Sequence, residues 1–225
     1  PDCKDWVCRQ LRQAGSVRSV RALAPLLADK QLATVARLAL QSIPGPEVDA
    51  ALRDALGTLT GPEKAGVLQT LGQRRDRQAG PQVARLVADP DPAVAEMALF
   101  ALGRIGGPEA VAAVRQSKVP QSLARYRFHA MLLCAESLPD PEAAGAYAAV
   151  LAASTDPVVR IAALRGLVRL DPLNARPEIE AALQSDNKPL RLAAVQLVCE
   201  SGRAELLATA LQQIGTLPGD ARVPL

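Results

Sequence analysis

The stretch DPDPAVAEMALFALGRIGGPEAVAAV, residues 89–114, decides the fold. Asp91 stands directly before Pro92, the pattern of a capping side chain followed by a residue pre-set for the first helical position. Val94, Ala98, Leu102 and Ile105 then recur at helical spacing and mark one apolar stripe. Gly106 and Gly107 supply the left-handed backbone that ends a helix, so GRIGG reads as a C-cap and turn rather than a nucleotide loop. Pro108 and Glu109 open a second helix, the proline costing no hydrogen bond and the carboxylate favouring the positive end of the helix dipole.

The phrase recurs along the chain. With Leu102 as anchor, equivalent helices place Leu11, Leu40, Leu71, Met131, Leu167 and Val198 at the same register. The spacing is about 31 residues, with one longer step across residues 138–157. Between these helices runs a second series, including PEVDAALRDALGTLTG, PEAVAAVRQ, PEAAGAYAAVLAASTDP and ARPEIEAALQSDN, which starts at Pro-Glu and ends in Asp-containing turns able to cap the next helix. A fixed period of this length marks a solenoid, in which each two-helix unit buries its apolar faces only against its neighbours. The expected fold is therefore an all-α superhelix of about seven two-helix units, a single solenoid over residues 1–225. Its first helix, around Asp2 to Ala14, is of the anchor-bearing type and TLPGDARVPL reads as the opening of another unit. A piece of a longer protein with exposed apolar edges is expected.

Asp91, Val94, Ala98, Ala101-Leu102-Gly103, Ile105 and Gly106 resemble the short bacterial HEAT-like repeat, the type also found in phycobilisome-lyase repeats. DPVVRIAALRGLVRL and SDNKPLRLAAVQLVCESG match the same pattern, including the hydrophobic-Arg pairs Val159-Arg160 and Leu190-Arg191. The order of units, with CRQL early and LLCAESL past the middle, is also similar to HEAT-repeat proteins of planctomycete-like bacteria. The resemblance implies an α-solenoid and is only weakly informative about function. It implies no particular chemistry.

Composition agrees. The chain is 49% hydrophobic but only 2% aromatic, so Ala, Leu and Val must build the core, and small side chains let helices approach closely. Lys and Arg number 26 against 23 acidic residues, a net charge of +3 that gives little electrostatic reason to expect nucleic acid or a membrane surface. No uninterrupted apolar run approaches the ~18 residues of a membrane-spanning helix. The four cysteines, Cys3, Cys8, Cys134 and Cys199, lack zinc-ligand pairing and read as buried thiols. No GxSxG, HExxH or phosphate-binding glycine loop occurs, and the single histidine, His129, has no evident partner for general-base work. Neither an enzyme nor a cofactor or metal is expected.

The densest charge cluster, QRRDRQ at residues 73–78, holds Arg74, Arg75 and Arg77 at a helix C-terminus, where cations can cap carbonyls. A better candidate surface follows from the register. Positions six and two before each anchor and two after it share one helix side, and their chemistry varies while the anchor column stays apolar. In two-helix solenoids that side commonly faces the concave surface. Phe100 and His129 beside Arg104, Arg125, Arg165 and Arg169 form the expected partner-binding set, because aromatics and arginine dominate interface energetics. The leading expectation is a non-enzymatic scaffold for a protein or peptide. The alternatives are a nucleic-acid module resembling the HEAT-like alkylpurine DNA glycosylases, disfavoured by Glu96 and Glu200 in the groove columns, and a bilin-lyase-like enzyme. Oligomeric state is left open.

Overall fold

The structure is a computed structural model in which residues 2–213 are described; the expected extra unit at TLPGDARVPL lies outside them. Fourteen α-helices and three short 3-10 turns account for the regular structure of the described residues, without a strand. One series, here the B helices, carries the anchors: α1 (Asp2–Ala14), α3 (Ala33–Ser42), α5 (Gly61–Arg74), α7 (Pro92–Ile105), α9 (Ala124–Ala135), α11 (Pro157–Leu170) and α13 (Lys188–Ser201). The A helices alternate with them: α2 (Val17–Leu23), α4 (Pro46–Leu56), α6 (Gly80–Leu86), α8 (Gly107–Gln116), α10 (Asp140–Ala153), α12 (Arg176–Leu183) and α14 (Ala204–Gln213).

The chain divides into two compact units, residues 1–134 and 135–225. In the first, α1, α3, α5 and α7 stack in sequence, and α4, α6 and α8 pack on the B helices next to them. In the second, α11 stacks on α13 while α10, α12 and α14 cover them. The lengthened step in the repeat has a simple source: α10 has 14 residues, whereas the other A helices have 7 to 11.

Leu40, Leu71, Leu102 and Val198 are fully buried, and Met131 and Leu167 are buried almost as completely. Leu11 departs from the register. It is only half-buried, and the buried residue of α1 is Cys8, 2% exposed. The helix α1 packs principally on α3.

The turns that separate A from B helices are built alike. Asp91 accepts the Ala93 N–H at 2.9 Å, Asp156 that of Val158 at 2.8 Å and Asn187 that of Leu190 at 3.0 Å, each satisfying a helix-start donor. Two residues earlier, Asp89, Ser154 and Ser185 accept the N–H of those same capping residues. DPDP, STDP and SDNKP are thus one device written three ways. The turn after α7 uses Gly106 and Gly107, with φ of 68° and 84°, and the Gly106 N–H caps Leu102 O at 2.9 Å.

Close helix approach explains the glycine after two anchors. A Cβ on Gly72 would lie 2.9 Å from the Cα of Ala101, and one on Gly103 would lie 3.0 Å from Leu133 Cβ and 3.1 Å from Ala130 Cα. Neighbouring B helices therefore meet backbone to backbone at these points, which leaves no room for an aromatic core.

Candidate interaction surface

Every position of the three variable columns is exposed or half-buried, from Asp5, Arg9 and Gln13 on α1 to Leu192, Gln196 and Glu200 on α13. The anchors beside them are buried, apart from Leu11. The columns therefore form a surface that helix packing does not consume, as the register predicts.

In the first unit Phe100 and Arg104 lie half-buried on α7, and Arg125 and His129 are exposed on α9. Phe100 and His129 occupy equivalent positions on adjacent B helices, since Gly103 of α7 sits against Ala130 and Leu133 of α9. Arg104 shields its Nε from solvent without a hydrogen-bond partner among the described residues. A buried unsatisfied donor costs about 1–3 kcal/mol, and a ligand acceptor would remove that cost. Tyr126, 41% exposed, adds an aromatic to the start of α9 that the columns miss.

Arg165 and Arg169 lie in the second unit, exposed on α11. Of the six expected contact residues, Phe100, Arg104, Arg125 and His129 belong to the first unit and Arg165 and Arg169 to the second. Arg169 lies near the Tyr147 hydroxyl of α10. Burial raises the Tyr147 pKa, and the positive charge of Arg169 pulls against that rise. Arg165 and Arg169 line a cleft of about 360 Å³ with Val168, Pro172, Leu197, Glu200, Ser201 and Arg203. Arg203 escaped the register because it follows α13 in a turn.

Within QRRDRQ, Arg74, Arg75 and Asp76 have structural roles. Arg74 ion-pairs with Asp49 of α4 and donates to Ile43 O at 2.8 Å, Gly45 O at 3.1 Å and Gln41 O at 3.2 Å. It caps α3, not its own helix. Asp76 is buried, accepts from Gln78 N at 3.1 Å and pairs with Arg53 at 2.5 Å, so its ion-pair partner is not a neighbouring arginine of the cluster. Arg75, exposed at φ 54°, is the left-handed C-cap. The hydrophobic-Arg pair at Leu190-Arg191 is likewise structural, Arg191 being buried and donating to Ser185 O at 2.7 Å in the turn before its helix.

The cysteines all carry thiols. Only Cys8 and Cys134 are buried; Cys3 and Cys199 are exposed, because they fall on the outer sides of α1 and α13, and this corrects the expectation of four buried thiols. Cys134 donates to Leu102 O at 3.6 Å, and burial pushes its pKa up to about 12. Among the described residues no three His, Cys, Asp or Glu side chains gather as metal ligands would, and no helix is long and apolar enough to cross a membrane.

Antiparallel helix pairs with buried anchors, a capping Asp ahead of Pro and small residues where B helices touch are the marks of one repeat type, and residues 50–132 match the family model for HEAT repeats. This segment is a HEAT-repeat array. It lies within the first unit and carries Phe100, Arg104, Arg125 and His129, while Arg165 and Arg169 fall beyond it. HEAT repeats generally mediate protein–protein interaction. No curated protein matches the chain.

Proposed function

We propose that the chain is a non-enzymatic scaffold that binds a protein or peptide along its B-helix face, read from the sequence as the concave side. The observation that carries this reading is the split between columns: packing claims the anchors and leaves the adjacent positions free to vary in chemistry. HEAT repeats supply the general role. Phe100, Arg104, Arg125 and His129 form the contact set of the first unit, and Arg165 and Arg169 that of the second. Aromatic side chains offer large contact area at low entropy cost, and arginine adds a planar charged group with several hydrogen-bond donors.

A photo-crosslinking amino acid at His129 tests the proposal against the same group at Arg115, which is exposed on the A helix α8. The expected result is a discrete protein adduct from position 129 in cells of the source organism, abolished by Phe100→Ala with Arg125→Ala. Equal labelling from position 115 would place the working surface on the A helices.

A further inference from the structure

Three arginines, Arg165, Arg169 and Arg203, line one cleft between the C-terminal ends of α11 and α13. Where arginine supports the fold it is engaged: Arg74 with Asp49, Arg53 with Asp76, Arg176 with Glu180 and Arg191 with a turn carbonyl. Arg165 and Arg203 are exposed and form no ion pair among the described residues, although both line the cleft. Arg169, the third, lies near Tyr147, whose ring packs against Gly166 of α11 where any side chain would collide with it. The single carboxylate of the lining, Glu200, is turned to Gln196, whose Nε2 donates to it at 2.5 Å. Val168 and Leu197, both buried, form the floor.

Cations near a helix C-terminus are favoured by the dipole, yet α11 and α13 meet several of their last carbonyls from the backbone and from Ser201. Asp171 N–H donates to Leu167 O at 3.0 Å, and Ser201 donates to Val198 O at 2.7 Å. The guanidinium groups of Arg165 and Arg203 therefore remain available to a ligand, around an apolar floor.

We propose that this cleft captures an acidic peptide segment, an Asp or Glu carboxylate taken by Arg165 and Arg203 with a neighbouring aliphatic side chain on the Val168–Leu197 floor. Guanidinium groups match a carboxylate with paired, charge-assisted hydrogen bonds. A peptide fits better than nucleic acid, because Glu200 within the lining repels a continuous row of phosphates and the chain as a whole is only +3. The inference rests on the reading of the B-helix face as the binding surface and gives that face its ligand chemistry in the second unit.

Fluorescence anisotropy of the whole chain with a labelled peptide of alternating Leu and Glu tests it, beside a Leu-Lys peptide and a single-stranded oligonucleotide of equal negative charge. Binding of the Leu-Glu peptide alone is expected, weakened roughly ten-fold by Arg165→Ala and by Arg203→Ala. Glu200→Gln is expected to tighten it about three-fold, a gain that a disturbed fold would not give. Oligonucleotide binding as tight as the peptide's, or a Leu-Glu affinity indifferent to all three substitutions, overturns the proposal. Loss of the His129 adduct, by contrast, would bear on the first unit alone.

Discussion

Gly72 and Gly145 both stand inside helices and differ in what a methyl group would meet. At Gly72 the added Cβ lies 2.9 Å from the Ala101 Cα, a backbone atom that cannot swing aside, whereas at Gly145 nothing lies within 4 Å. Overpacking costs about 1–3 kcal/mol, and alanine's helix propensity returns up to about 1 kcal/mol. Gly72→Ala is thus expected to lower stability by roughly 1–2 kcal/mol and Gly145→Ala to raise it by about 0.5–1 kcal/mol, read from urea midpoints. A stabilised Gly72→Ala would mean that α5 and α7 do not meet this closely. Cys134 gives a second test. Its folded pKa, about 12, is raised above the ordinary thiol value of 9.0. The folded state holds this proton more tightly, so the contribution is fully present below about pH 9 and is lost as pH rises toward 12. Near pH 10.5 the loss is about 2 kcal/mol. Cys134→Val removes that slope in part, since Tyr147 is also raised by burial and acts in the same direction. At neutral pH iodoacetamide should modify Cys3 and Cys199 and spare Cys134; rapid native labelling of Cys134 would contradict its burial.

Caps and anchors were legible in the sequence because their causes are local. Asp91, Asp156 and Asn187 act within three residues of themselves, and a 3.6-residue period locates the buried stripe without tertiary knowledge. The exposed face followed from the same register. What the sequence hid was long-range. Arg74 and Arg75 look alike in QRRDRQ, yet Arg74 reaches back to Ile43 and Gly45 at the end of α3 while Arg75 only turns the chain. No local pattern separates them, and none separates the engaged Arg74 from the unpaired Arg165. Nor does the register reveal Arg203, which belongs to a turn. Stability should expose the difference at the element level. Arg74→Ala strands several α3 carbonyls and the Asp49 carboxylate and is expected to cost roughly 2–3 kcal/mol. Arg75→Gly relieves a left-handed non-glycine residue and is expected to gain about 0.5–1 kcal/mol. Equal, small effects on the unfolding midpoint would return Arg74 to the pool of surface charges.

At the scale of the molecule, stability in a repeat array is a sum of unit and nearest-neighbour terms rather than a property of one core. Each of the two compact units has its own stack: α5 and α7 are backbone neighbours in the first, α11 and α13 in the second. A local loss should therefore stay near its source. Asp91→Ala removes the cap of α7 and is expected to cost about 1 kcal/mol, equivalent to about a five-fold change in the local opening equilibrium. Amide hydrogen exchange should accelerate by about that factor through α5, α6, α7 and α8, while α11 and α13 keep their protection within about two-fold. Asp156→Ala should do the reverse, loosening α11, α10 and α13 and sparing α3 and α5. The pair of variants matters more than either alone, because a general drop in stability would speed exchange everywhere in both. Uniform acceleration from Asp91→Ala and from Asp156→Ala would show that the chain opens as one cooperative body and that the division at Cys134 has no energetic counterpart.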